Sequence, residues 1–210
     1  MLPIDVLLNA FATLFVTIDP IGLAPIFLAI TAGASKQERI KIGIRAVIAA
    51  TGILLTFGLI GQSILQILGI SIPAFRIAGG LLLFAIAFEM VFEKREKRKS
   101  QSAEQVMSDD EMHDIAIFPL AIPLISGPGA ISAVLLLTSQ STGWIGHISI
   151  LAIVAVVLLL VLVTFVISGW VDKMLGDNGR NILTRLLGVL LAALSVQFIA
   201  DGVKAVIAGG

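Results

Sequence analysis

The sequence predicts an all-α polytopic membrane protein: six transmembrane helices arranged as two three-helix repeats of inverted topology. Three observations predict it. Apolar runs near or above 20 residues recur along the chain, Lys and Arg gather in alternate loops, and two helix breaks occupy corresponding places in the two halves. Of the 210 residues, 58% are hydrophobic and 13% charged, and the mean hydropathy is +1.06, a composition suited to a bilayer. The zero net charge argues neither for nor against a partner, because the charges are concentrated in a few loops. The apolar spans make lipid an expected partner, the helix breaks described below add a small solute, and nucleic acid is not expected. With no cysteine, disulfides, thiol catalysis and cysteine metal sites are excluded. The start, Met1-Leu-Pro-Ile-Asp5, lacks the basic region of a cleaved signal peptide, so the first apolar segment is expected to stay as a membrane helix.

In chain order the expected spans are 4–32, 42–68, 72–92, 115–138, 146–171 and 182–208. The first, fully helical at about 1.5 Å per residue, would reach roughly 43 Å. A hydrocarbon core of about 30 Å leaves room for an unwound middle, and Asp19-Pro20-Ile21-Gly22 lies there. Ser35 and Glu38 form a capping-box pattern that starts the second helix. The third span carries Arg76, Gly79 and Gly80 near its start. Polar stretch 93–114 opens with Lys94, Arg95, Lys97, Arg98 and Lys99 and turns acidic at Asp109, Asp110, Glu111 and Asp114. It is expected to be a mobile cytoplasmic loop with solvated bases, joining a first repeat (1–92) to a second (115–210). Span four contains the second break, Ser126-Gly127-Pro128-Gly129. Trp144 and Trp170, near span ends, read as interface anchors.

Charge sets the expected orientation. Loops 1–2, 3–4 and 5–6 with their adjoining helix ends hold twelve of the 14 Lys and Arg, leaving Arg76 and Lys204 opposite. The basic loops belong in the cytoplasm, and both termini lie outside. Spans three and six also align: Arg76, Gly79, Leu81 and Leu82 coincide with Arg185, Gly188, Leu190 and Leu191 at an offset of 109, and an offset of 108 superposes Pro20 on Pro128. A three-helix unit, being odd, inserts its two copies in opposite senses, a plan common among secondary transporters.

Each break has predictable chemistry. Proline donates no backbone hydrogen bond and clashes with the preceding turn, so an unwound segment at bilayer depth must be satisfied by protein or a water-filled cavity. The half-helices that follow present unpaired N–H groups and partial positive charge, a seat for an anionic group. Freed carbonyls suit an ammonium, Na⁺ or a proton-bearing water. Asp19, Pro20, Ile21, Gly22, Ser126, Gly127, Pro128 and Gly129 are thus the candidate substrate-binding residues. Asp19 is the single acid near the middle of any span, and there a charge needs a partner, a cavity or a proton. Capping its own half-helix, contacting a substrate amine or cation, and carrying a coupling proton are all open to it, and Pro25 is a second candidate for the first helical position. Arg76 and Arg185 are candidates for gating or substrate contact, with snorkelling as the plainer role. Gln62, Ser63 and Gln197 suit a pore or interhelical hydrogen bonds, while Glu89 is expected to be solvated.

One mid-membrane Asp and two isolated histidines, His113 and His147, supply no catalytic dyad and no zinc site. The P-loop pattern is missing too, so neither an enzyme nor a resident cofactor is expected.

Several segments resemble the MarC family, also called the neutral amino acid transporter family, of six-helix bacterial and archaeal membrane proteins. They are Asp19-Pro-Ile-Gly22, the blocks 69–80 and 119–131, and Arg185-Leu-Leu-Gly188 with Val196-Gln197-Phe198. Asp19 matches the family's Asp/Asn-Pro position, and Ala130 stands where many members have threonine. The resemblance implies a cytoplasmic (inner) membrane protein that carries a small neutral amino acid such as glycine or alanine. Together with the breaks it points to a secondary transporter working by alternating access, coupled to H⁺ or Na⁺. The alternative is a channel or a non-transporting membrane subunit, and a homo-oligomer is compatible with either.

Overall fold

The computed structural model describes residues 3–92, 94–95, 98–100, 115–141 and 143–208, and among these every regular element is helical. The helices are α1 (Ile4–Ile18), α2 (Pro20–Ile30), α3 (Lys36–Ile67), α4 (Ile72–Val91), α5 (Ala116–Ile125), α6 (Pro128–Gln140), α7 (Gly143–Val166) and α8 (Ser168–Ile207). Five spans are long and apolar enough to cross a membrane, α1 and α2 counting as one. The pair α5 and α6, bent by 56° at its break, makes up to six.

Local chemistry accounts for the boundaries. Ser35 and Glu38 form the expected capping box: Ser35 N donates to Glu38 Oε2 at 2.9 Å and Glu38 N to Ser35 Oγ at 3.3 Å. The second helix therefore starts at Lys36, six residues before the apolar run expected at 42, because its polar first turn, Lys36 to Arg39, can project past the lipid. Ser71 Oγ caps α4 by accepting from Ala74 N. Spans five and six are joined by a short helical segment instead of an open loop: α8 begins at Ser168 and is broken at Gly176, whose non-helical φ of 56° and ψ of −178° suit glycine.

Span four departs most from expectation. Proline at 119 and 123 removes two more donors ahead of the expected break. Accordingly α5 is not one regular helix: the backbone is extended at Phe118 and Ile122, and the bonds from these residues to Pro119 and Pro123 are cis. Its turns bond i to i−5, as in Leu120 N to Ile115 O and Ser126 N to Ala121 O.

The broken span of α1 and α2 and the bent pair α5 and α6 form the interior, and four long helices surround them. In its most apolar stretch the span Ile4–Ile30 is 72% buried, against 28 to 33% for the spans of α3, α4, α7 and α8. Helix α6 is likewise buried along most of its length. Outward faces carry exposed Ile48, Leu59, Leu81, Leu159 and Leu186, the lipid-facing pattern of a membrane bundle.

The halves interleave. Helix α3 packs on α5, α6 and α7, whereas α1 packs on α6, α7 and α8, and α4 lies along α8. Glycine permits that last approach. A Cβ at Gly80 would stand 3.0 Å from Ser195 O, and one at Gly188 would stand 3.2 Å from Ala87 O. Each contact is the other shifted by 108 residues.

Candidate functional site

The first break is built from its four residues upward. Pro20 excludes the right-handed helical region for its predecessor, and Asp reaches the left-handed region at lower cost than most residues. Asp19 sits there, at φ 61° and ψ 68°. It ends α1 and caps α2, its Oδ1 accepting from Gly22 N at 3.0 Å. Gly22 is required because a Cβ there would lie 2.2 Å from Asp19 Oδ2. With Pro20 in the first turn of α2 and Pro25 inside the helix, the open question of where the second half begins is answered at Pro20.

Asp19 is 2% exposed, and its counter-ions come from the segment expected to be solvated loop. Lys99 Nζ lies 3.4 Å from Asp19 Oδ2 and Arg95 Nε 3.9 Å away. Arg95 Nη2 also donates to Thr17 O, and Lys99 Nζ to Ile18 O at 3.4 Å. The anion thus sits at the N-terminus of α2 and the cations on the last carbonyls of α1, each where the helix dipole favours it. Arg95 and Lys99 are 4% and 7% exposed, which corrects the expectation of solvated bases. An unwound segment frees carbonyls that must be satisfied, and these two side chains reach in to do so. Burial pulls the Arg95 pKa below its ordinary value while the Asp19 charge pushes it up. Lys97, the acidic run from Asp109 to Asp114 and His113 lie outside the described residues.

Among the described residues, no charged side chain caps the second break in this way. Ser126 is buried and donates to Ala50 O on α3 at 3.3 Å. No side chain caps α6, so its first-turn amides keep the free donors that helix geometry leaves. A cavity of about 360 Å³ lies against this turn, within the roughly 300–1,000 Å³ range of small-molecule sites. Its wall includes Gly127, Pro128, Gly129 and Ala130 from the second break, Thr17 from the first, Ile86 from α4, and Arg95, Arg98 and Lys99. The two breaks are close: a Cβ at Gly129 would lie 3.4 Å from Thr17 Cγ2.

Of the eight candidate residues, Gly127, Pro128 and Gly129 line this cavity, while Asp19, Pro20, Ile21, Gly22 and Ser126 do not. Arg76 is half-buried at the start of α4 and Arg185 exposed on α8, and neither lines it. Gln62 Nε2 donates to Thr138 O at 2.9 Å, an interhelical bond, and exposed Gln197 bonds Asp201 along its own helix. Ser63 is exposed. Glu89 pairs with Arg98 at 2.9 Å instead of standing solvated. His147 Nδ1 is 2.9 Å from Ser141 Oγ.

Thr17, Ile86, Arg95, Arg98 and Lys99 escaped sequence reasoning. One signal was available: 95, 98 and 99 are spaced i, i+3 and i+4, a single helical face.

A family model described as "MarC family integral membrane protein" matches residues 4–207. Among curated relatives, the UPF0056 membrane protein MJ0972 of Methanocaldococcus jannaschii is 38% identical over 92% of this chain and 84% of its own. UPF0056 membrane protein YvbG of Bacillus subtilis is 35% identical over 94% of each chain. The UPF0056 membrane protein YhcE of Escherichia coli is 33% identical over 95% of this chain and 92% of its own. No solved structure matches.

Proposed function

The chain belongs to the MarC family of integral membrane proteins, and on that premise we propose that it is a secondary transporter of a small neutral solute, a small neutral amino acid above all. It works by alternating access around the cavity between the broken spans, driven by H⁺ or Na⁺. The observation carrying this reading is that cavity: about 360 Å³, bounded by the uncapped first turn of α6 and by the end of α1. Broken spans meeting at a solute-sized space are the architecture on which alternating access operates.

An inverted duplication of three-helix halves is part of this reading. The glycine contacts between α4 and α8 repeat at an offset of 108, the offset that superposes Pro20 on Pro128. Two such repeats, inserted in opposite senses, allow one set of contacts to open to each side in turn. Six spans follow if the bent pair is one crossing, with both termini outside and the segment after α4 in the cytoplasm.

Proteoliposomes holding the purified chain test the proposal. Gradient-dependent flux of glycine or alanine is expected, and no flux of either under any H⁺ or Na⁺ gradient would sink it. Steady single-channel conductance would replace alternating access with a channel.

A further inference from the structure

We propose that this cavity is a carboxylate seat, formed by Arg95 Nη1, Thr17 Oγ1 and the first-turn amides of α6, and that it recognises a small carboxylate whether or not an amino group accompanies it. The inference deepens the transporter reading and rests on the cavity being that reading's solute site.

Three observations converge. Arg95 and Thr17 are 4% and 3% exposed and both line the cavity. Arg95 Nη1 and Thr17 Oγ1 are buried with no hydrogen-bond partner, although nearly all buried polar atoms have one. A guanidinium N–H left over after Nη2 has bonded Thr17 O can only donate, and carboxylate is the acceptor its planar fork fits best. Beside them α6 begins without a capping side chain, so its amides at Gly129 and Ala130 add donors and positive potential. Two residues of the cavity wall thus carry buried donors with no protein partner, next to the positive end of α6.

The complementary group is missing. A carboxylate partner for an amino group is lacking, since the nearest acid, Asp19, already accepts from Gly22 N and faces both Lys99 and Arg95; only neutral backbone carbonyls could hold the ammonium, and more weakly than the charged donors hold the carboxylate. It does not line the cavity. Among the described residues the other close acid, Glu89, is paired with Arg98. Affinity thus resides in the carboxylate, and the rest of the solute is selected by the space beside Ile86.

Calorimetric titration of the purified full chain with acetate, glycine and ethylammonium tests this. Acetate and glycine are expected to bind and ethylammonium to be silent. Arg95→Lys keeps the charge facing Asp19 but loses the fork, and should weaken acetate roughly tenfold. Thr17→Val should weaken it several-fold with an unchanged melting temperature. Binding of ethylammonium, binding of glycine without acetate, or wild-type acetate affinity in both variants would overturn the seat. Flux distinguishes the two proposals: acetate binding without transport of any solute removes the transporter and leaves the seat, whereas glycine flux without acetate binding removes the seat alone.

Discussion

The Lys99 ammonium stands 3.4 Å from the Asp19 carboxylate, although 80 residues separate the two. Both side chains are buried, so the pair differs from a surface salt bridge. Its formation contributes little net energy because desolvation offsets the attraction, but removing one partner strands the other. Asp19→Ala should therefore lower stability by about 3–5 kcal/mol. Asp19→Asn should lose less, since asparagine caps a helix as well as aspartate. Thermal unfolding of the purified variants reads both, and equal melting temperatures for Asp19→Ala and the parent would dismiss the ion pair as structural.

Gly22 belongs to the same unit. A methyl group there would lie 2.2 Å from Asp19 Oδ2 and 2.8 Å from its Cγ, so Gly22→Ala must push the carboxylate off its cap and away from Lys99. We expect its loss of stability to match that of Asp19→Ala, with little added in the double variant, because both act on one interaction. Additive losses would show that Gly22 acts elsewhere.

Adjacent glycines on α4 should separate cleanly. At Gly80 the added Cβ meets backbone, 3.0 Å from Ser195 O and 3.2 Å from Ile199 N, whereas at Gly79 it meets only the side chain of Leu136. Gly80→Ala is expected to cost about 1–3 kcal/mol by forcing α4 and α8 apart, and Gly79→Ala less. The reverse order in a denaturation series would contradict this packing.

Gly129→Ala acts on the cavity. Its Cβ would lie 2.1 Å from Ile86 Cδ1, the free tip of a side chain on the cavity wall. Rotation of that tip costs little stability but narrows the space. Solute flux should fall several-fold, and Ile86→Ala in the same chain should restore it. Unrestored flux would mean that Gly129 is needed for the bend itself.

Ser126→Ala should leave solute binding unchanged and cost about 0.5–1.5 kcal/mol, the net value of one hydrogen bond, because Ser126 Oγ is spent on Ala50 O. A large loss of affinity would instead place Ser126 in the site.

Much of the architecture was legible because its causes are local. Hydropathy marks the membrane spans, the Ser35 and Glu38 pattern starts α3 at Lys36, and the breaks fall where proline removes donors. The irregular backbone of α5 was less legible, because Pro119 and Pro123 signal missing donors without specifying which longer-range bond replaces them.

By itself, the sequence determined an all-helical multi-pass membrane protein and the positions of both breaks, since lipid forces every backbone group to find an internal partner and proline decides where that fails. Tertiary structure alone decided what satisfies each failure. Arg95 and Lys99, which by composition belong to a solvated loop, fold back onto the carbonyls of α1 and the carboxylate of Asp19. Among the described residues no equivalent side chain caps the second break, and there a cavity remains. Partners 80 residues apart are chosen by three-dimensional proximity, which neither periodicity nor hydropathy encodes.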